Sequence, residues 1–487
     1  MTAVGGAPLR RSTFLLLVFG YFGLHLVIRT LEPAWLGLDD AEQFVAAQDW
    51  ALGYGPQPPL ATWIFKLLFA AFGEGVFAVA LFRNACLAAT VVLVAAIGRR
   101  IGGDRVALAA GLGVLTIPQI AWESQHSHIH TLLVVVTAAL AVLFLLRIVE
   151  ARRTADYLGF GAALGLAFLS KLSGPLLPLA LLAVMAAMRE TRPSVLDRRL
   201  LAGLGLGLLV VAPAAVWMLA HRAATMGRVY KFKFAEAAGP LDGVVTAVGA
   251  ALSFSAVTMA VFLLLVVLTR REEGLAVAAG RGARLGRLAA GVGLAIAVIA
   301  AGVVVTGAAE VKERWLQPVL FPLPVLVAAA FAPRLGDRFL RDLSRVVAVL
   351  AVVILVGVPI KDRFGSLRRP PLTSVDYALL RGEIAAAVGP VGTLFSDGHS
   401  LPGNLRLADP SLVAVVPEYP QPGLDLPGPW IAIWRDEEPM PQELADLVAA
   451  RGASVEGPVT RILIPHVWPF EGTFVVHVQR LAAGESH

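Results

Sequence analysis

Residues 36–60 read LGLDDAEQFVAAQDWALGYGPQPPL. They follow an apolar run at 13–30, and the way that join is read sets the fold. Arg10 and Arg11 precede the run as they would precede the core of a cleavable signal peptide. No small-x-small cleavage site follows it, however, and many further apolar runs do, so 13–30 is read as a first transmembrane helix. Asp39, Asp40 and Glu42 then sit just past the end of a span, on a short amphipathic helix beginning DAEQFVAAQDWAL. Carboxylates gathered at that depth need a reason. Either Asp39 is a plain N-cap, or one carboxylate faces a wet cavity while its neighbour orients it, which suits a general base.

The rest of the chain supports the membrane reading. Of 487 residues, 57% are hydrophobic and 16% charged, and mean hydropathy is +0.74, more apolar than a soluble core requires. The net charge of +6 comes from Lys and Arg in short clusters between apolar runs, the pattern of loops on the cytoplasmic side, which argues against nucleic acid as a partner. A lone cysteine, Cys86, excludes an intrachain disulfide and a cysteine metal site.

Runs at 13–30, 76–97, 106–120, 131–149, 157–170, 173–188, 200–220, 243–268, 288–306, 316–332 and 346–360 predict about eleven transmembrane helices. Arginine clusters at 10–11, 99–105, 152–153, 189–199, 270–287 and 334–345 assign alternate loops to the inside. The other loops and the C-terminal tail then face outward, in a bacterium into the periplasm across the inner membrane. Residues 1–360 form the transmembrane domain on this reading. From 361 to 487 the apolar runs shrink to strand length (GTLFSD, SLVAVVP, PWIAIWR, TFVVHVQ), with a helical stretch at 439–451. A small periplasmic α/β domain with a docking or stabilising role is expected.

The unusual polar residues all fall on the outer side: Asp39, Asp40, Glu42, Gln57, Glu123, His126, His128, His130, Lys171, Lys231, Lys233, Glu310, Lys312 and Arg314. A charge at a helix centre costs about 2.5–3.5 kcal/mol on insertion scales unless it is paired or wet, so a shared cavity explains them economically. Lys171, in LSKLSG, either snorkels to the interface or meets an anion. Lys312 and Arg314, in VKERWLQP, either anchor a span beside Trp315 or grip a phosphate. In WESQHSHIH a divalent metal is one possibility and hydrogen bonding to sugar hydroxyls another. Lys231 and Lys233 either contact an anionic headgroup or lie on a solvated face.

The order LDDAEQ, a Gly-Tyr turn, GPQPPL, a Trp and, much later, VKERWLQPVLFPLP resembles the GT-C superfamily of polyprenyl-phosphate-sugar glycosyltransferases. The likeness covers roughly 13–332 and is nearest the bacterial branch with rhizobial galacturonosyltransferases, lipid A aminoarabinose transferase and, more distantly, protein O-mannosyltransferases. It implies a GT-C-like helical fold, a sugar donor on polyprenyl monophosphate, a glycan, lipid or protein acceptor, and Asp39 as the base, with Asp40 as the second acid of the motif. Aminoarabinose transferases carry a Lys before Pro-Pro that meets the donor phosphate. Gln57 stands there in this chain, which leaves the phosphate to Lys171, Lys312 and Arg314.

Glu42, Gln57, Glu123, His128, His130 and Lys231 are expected to touch substrate. A single base predicts inversion at the anomeric carbon. No cofactor is required, because cations can stabilise the departing phosphate, although a divalent metal remains compatible. A polytopic transporter or flippase of an anionic lipid is the alternative class, and a silent relative that only binds polyprenyl lipid is a third.

Overall fold

The computed structural model of the chain describes residues 11–32, 35–234, 239, 241–269, 278–365, 370–419, 423–435 and 439–483. Arg10, Arg270 and Arg271, counted above in the inward clusters, lie outside them. Among the described residues, seven helices are long and apolar enough to cross a membrane: Arg11–Leu31, Val76–Gly102, Ile129–Ala151, Arg198–Ala220, Asp242–Leu268, Arg281–Thr306 and Asp337–Phe364. The other four runs read from sequence are also helical, but short or broken. Asp104–Thr116 meets Pro118–Gln125 at 71°, and the pair counts as an eighth span if taken as one. Ile117 is extended before Pro118, the backbone that a residue preceding proline prefers. Thr154–Ser170 and Leu176–Ala187 are separated by the LSKLSGP turn, and Glu313–Leu320 and Leu323–Ala330 by Phe321-Pro322. The apolar runs therefore predicted the helices, while proline and glycine decided which of them cross in one piece.

The chain divides into two compact units. The first comprises Met1–His25, Arg83–Val216 and Arg228–Leu355, and the second Leu26–Phe82, Trp217–Gly227 and Val356–His487. In the first unit, Ile129–Ala151 packs on Thr154–Ser170, and Leu176–Ala187 on Arg281–Thr306. Leu201, Leu208, Val267 and Val305 lie exposed on its helices, an apolar surface suited to lipid. Gly161 and Gly165 face Gly203 and Gly207 so closely that a Cβ on Gly161 would collide with the Gly203 carbonyl, and one on Gly165 would lie 2.8 Å from the Gly207 oxygen. This small-xxx-small seam replaces a hydrophobic driving force with backbone packing. Gly161→Leu is expected to cost about 3 kcal/mol by overpacking, read as a lowered denaturation midpoint in detergent.

The second unit carries a five-stranded sheet in the order β2-β1-β3-β5-β4. Its strands are β1 (Thr393–Ser396), β2 (Val413–Val415), β3 (Trp430–Arg435), β4 (Ala453–Pro465) and β5 (Thr473–Ala483). β1 pairs parallel with β2 and β3, and β5 pairs antiparallel with β3 and β4. Helices cover both faces, so β3 reads as the unbroken apolar run WIAIWR. Ile431 and Ile433 join Tyr377, Leu380 and Val476 on one side, while Ala432 and Trp434 join Phe395, Leu444 and Val448 on the other. β4 was not among the sequence-predicted strands. Gly457 and Pro458 interrupt it, and the ladder slips between Glu456 and Thr460, an irregularity that an edge strand tolerates.

Candidate functional site

The acidic segment lies in the second unit, on the helix Leu38–Ala46. Gly37 occupies the N-cap with no side-chain cap, and Asp39 and Asp40 fall in the first turn, so the N-cap reading of Asp39 does not hold. Asp40 and Glu42 are each 3% exposed, whereas Asp39 is half-buried. Glu42 accepts a 2.5 Å hydrogen bond from the Tyr419 hydroxyl, and Gln43 accepts one from Thr62 at 2.9 Å.

The turn that follows is tightly built. Tyr54 donates from its hydroxyl to the Asp49 carbonyl at 2.8 Å, and burial pushes its phenol up to about 12, which keeps it a neutral donor. Gly55, at φ +60°, passes so near the Glu418 carbonyl that no Cβ would fit. The Gln57 amide closes the turn onto the Tyr54 carbonyl at 3.3 Å, and Leu60–Phe72 starts after Pro59. The Trp63 indole donates to the Ala51 carbonyl at 2.7 Å, which fixes this helix to the acidic segment.

In the first unit, Glu123, His128, Lys312 and Arg314 line one cavity of about 470 Å³ together with Gln119, Thr246, Glu310 and Glu313. The broken span makes this possible. Where Glu123–Gln125 turns as a 3-10 helix and His128 takes a left-handed φ of 73° at the start of Ile129–Ala151, the chain doubles back and exposes polar groups. A non-glycine residue held in that region costs about 1–3 kcal/mol, so the surrounding structure must impose it. Arg83 does much of this. It is 3% exposed and donates to the Ser124 and Ser127 carbonyls at 2.7 and 3.0 Å. Sequence reading passed over it, because one charge inside the 76–97 run does not interrupt its hydropathy. A buried arginine within a span was nevertheless the available signal. Arg83→Met is expected to cost about 3 kcal/mol by leaving two buried carbonyls without that donor, measured as a lowered denaturation midpoint.

The charges around the cavity are arranged unevenly. Lys312 pairs with Glu310 at 3.4 Å, and Lys233 approaches the same carboxylate at 3.8 Å. Glu313 accepts from the Gln119 amide at 2.6 Å, while Gln317 donates to the Gln119 carbonyl at 3.1 Å. Among the described residues Arg314 makes no ion pair, and its guanidinium lies 3.5 Å from His128 Nε2.

Lys171 and Lys231 are not in the cavity wall. Lys171 ends Thr154–Ser170 and donates to the Thr131 hydroxyl at 3.0 Å, beside buried His130. Lys231, on the short 3-10 turn Val229–Phe232, lies over the Tyr230 ring at 5.9 Å. His126, His128 and His130 fall on a helix end, a left-handed residue and a helix, not on an extended strand. Among the described residues no three His, Cys, Asp or Glu side chains converge as metal ligands.

Comparison with known proteins agrees with this architecture. Residues 56–217 match the dolichyl-phosphate-mannose-protein mannosyltransferase family. The chain is 28% identical over 464 residues to the lipopolysaccharide core galacturonosyltransferase RgtA of Rhizobium johnstonii, covering 91% of each. It is 29% identical to RgtB of the same organism, covering 93% of this chain and 94% of RgtB. The fold matches ArnT from Cupriavidus metallidurans bound to undecaprenyl phosphate with a TM-score of 0.63 at 17% identity, over 96% of this chain and 98% of ArnT. With seven helices long and apolar enough to cross a membrane among the described residues, a glycosyltransferase family match over residues 56–217 and two near full-length glycosyltransferase relatives, the chain is a multi-pass membrane glycosyltransferase with the fold of ArnT.

Proposed function

We propose that the enzyme transfers a hexuronic acid of the galacturonic type from a polyprenyl-monophosphate carrier to a hydroxyl of a lipopolysaccharide core sugar. The observation that carries this reading is the near full-length likeness to two core galacturonosyltransferases. The fold shared with a protein captured on undecaprenyl phosphate supports the carrier. A uronic donor presents two kinds of anion, phosphate and carboxylate, and Arg314, Lys312 and His128 around one cavity are cations and donors of the type that bind them.

Asp39 takes the proton from the acceptor hydroxyl as that oxygen attacks the anomeric carbon. The carbon–oxygen bond to the phosphate breaks, and polyprenyl phosphate leaves with its new charge stabilised by Arg314 and Lys312. Lys171 supplies a further cation for the carrier, and Glu123, His130, Gln57 and Lys231 bind sugar or headgroup, while Glu42, enclosed and held by Tyr419, serves the helix and not the substrate. One base gives inversion. The alternating arginine clusters support a reaction on the periplasmic side of the inner membrane.

The test supplies the protein, in liposomes, with polyprenyl phosphate bearing galacturonic acid, a neutral hexose or an aminopentose, plus core lipopolysaccharide. Mass spectrometry of the acceptor should show uronic transfer alone, with the opposite anomeric configuration by NMR. Transfer of only the neutral or amino sugar would overturn the uronic assignment.

A further inference from the structure

The acidic helix is gripped by side chains that arrive from far along the chain. Ahead of it, Asn404 accepts from the Leu36 amide at 2.6 Å and donates to the Leu36 carbonyl at 3.2 Å, with no exposed surface of its own. At its middle, Tyr419 donates to Glu42. At its end, Arg406 donates to the Phe44 carbonyl at 3.0 Å and to Gln48 Oε1 at 2.9 Å, while its other nitrogen reaches Glu74 at 2.6 Å. Gln48 in turn bonds both backbone groups of Ala414 on β2, at 2.9 and 2.8 Å. Between these points Gly403 lies against the Ala41 backbone so closely that a Cβ would collide with the Ala41 carbonyl oxygen. Simple docking of a soluble domain needs surface complementarity. It does not need polar reading of one short helix at its beginning, middle and end, with a glycine reserved for backbone approach.

We propose that the helix Ser400–Ala408 and Tyr419 position the acid-bearing helix for catalysis, with Gly403, Asn404 and Arg406 as positioning residues that touch no substrate. The proposal rests on the reading of Asp39 as the base. Asp39 lies two residues before Ala41 on a single rigid helix, so a shift imposed at Ala41 is carried to the carboxylate. Displacement of a reacting group by about 1 Å costs on the order of 10²-fold in rate.

The experiment compares Gly403→Ala, Asn404→Asp and Asp39→Asn in the full-length protein, measuring kcat, KM for donor and acceptor, and the denaturation midpoint. Gly403→Ala is expected to lower kcat about 10²-fold with both KM values unchanged. Asn404→Asp, which keeps the acceptor for the Leu36 amide and loses the donor to its carbonyl, should lower kcat less and in the same pattern. A purely structural role would lower the midpoint and the active fraction while leaving kcat per folded molecule intact, and that result overturns the proposal. So does a parallel rise in KM. An active Asp39→Asn enzyme would instead remove the assignment of the base, an outcome distinct from either.

Discussion

Asp39→Asn is expected to lower sugar transfer by about 10²- to 10⁴-fold, the usual contribution of a positioned general base, while binding of the polyprenyl donor is kept. The substitution preserves volume and an acceptor oxygen but removes the site that receives the proton. Burial separates Asp39 from its neighbours. Asp40 and Glu42 are almost wholly enclosed, and Glu42 is already engaged by Tyr419, whereas half-buried Asp39 retains surface that an acceptor hydroxyl can reach. Glu42→Gln keeps a carbonyl oxygen for Tyr419 and should cost less than Asp39→Asn. Release of polyprenyl phosphate and retention of the donor on detergent-solubilised protein separate chemistry from binding. Full activity in the Asn variant would transfer the role of base to another group.

The helical part of the fold was legible because apolar runs of about 20 residues have few uses other than spanning a bilayer. Where prolines break the runs at Ile117-Pro118 and Phe321-Pro322, hydropathy still marks a helix but cannot say whether it crosses. The strands β1, β2, β3 and β5 showed themselves as short apolar runs, while β4 did not, because its outer face is solvated and Gly457-Pro458 divides it. In the cavity, Glu123, Lys312 and Arg314 stood out as charges in an apolar setting, while Gln119, which holds Glu313, and Gln317, which bonds the Gln119 carbonyl, did not, since neutral amides leave hydropathy almost unaltered. Least visible were Asn404, Arg406 and Tyr419. Each acts on Leu36, Phe44 or Glu42 across 368, 362 and 377 positions of sequence, two of them through backbone groups, and a side chain bound to backbone leaves no complementary residue type to find at the other end.

Arg314→Ala should weaken donor binding by about 10- to 10²-fold, because a hydrogen bond to a charged group contributes about 1.5–3 kcal/mol and each 1.4 kcal/mol is tenfold. The argument turns on how the cations of the cavity are occupied. Lys312 is shared with Glu310, so a phosphate there must compete with a carboxylate, and Lys312→Ala should have the smaller effect. Arg314 makes no ion pair among the described residues, and Gln119 holds the adjacent Glu313 carboxylate by a 2.6 Å hydrogen bond. Its planar fork can offer a phosphate two parallel hydrogen bonds, so Arg314→Lys, which keeps the charge and loses that geometry, should recover only part of the affinity. The turnover of bound donor should fall as well, since the leaving phosphate gains charge as its bond to the sugar breaks. Titration of polyprenyl phosphate against the purified variants gives the first quantity, and single-turnover transfer gives the second. Equal donor affinity in wild type and Arg314→Ala would exclude this guanidinium from the phosphate site and return that role to Lys171.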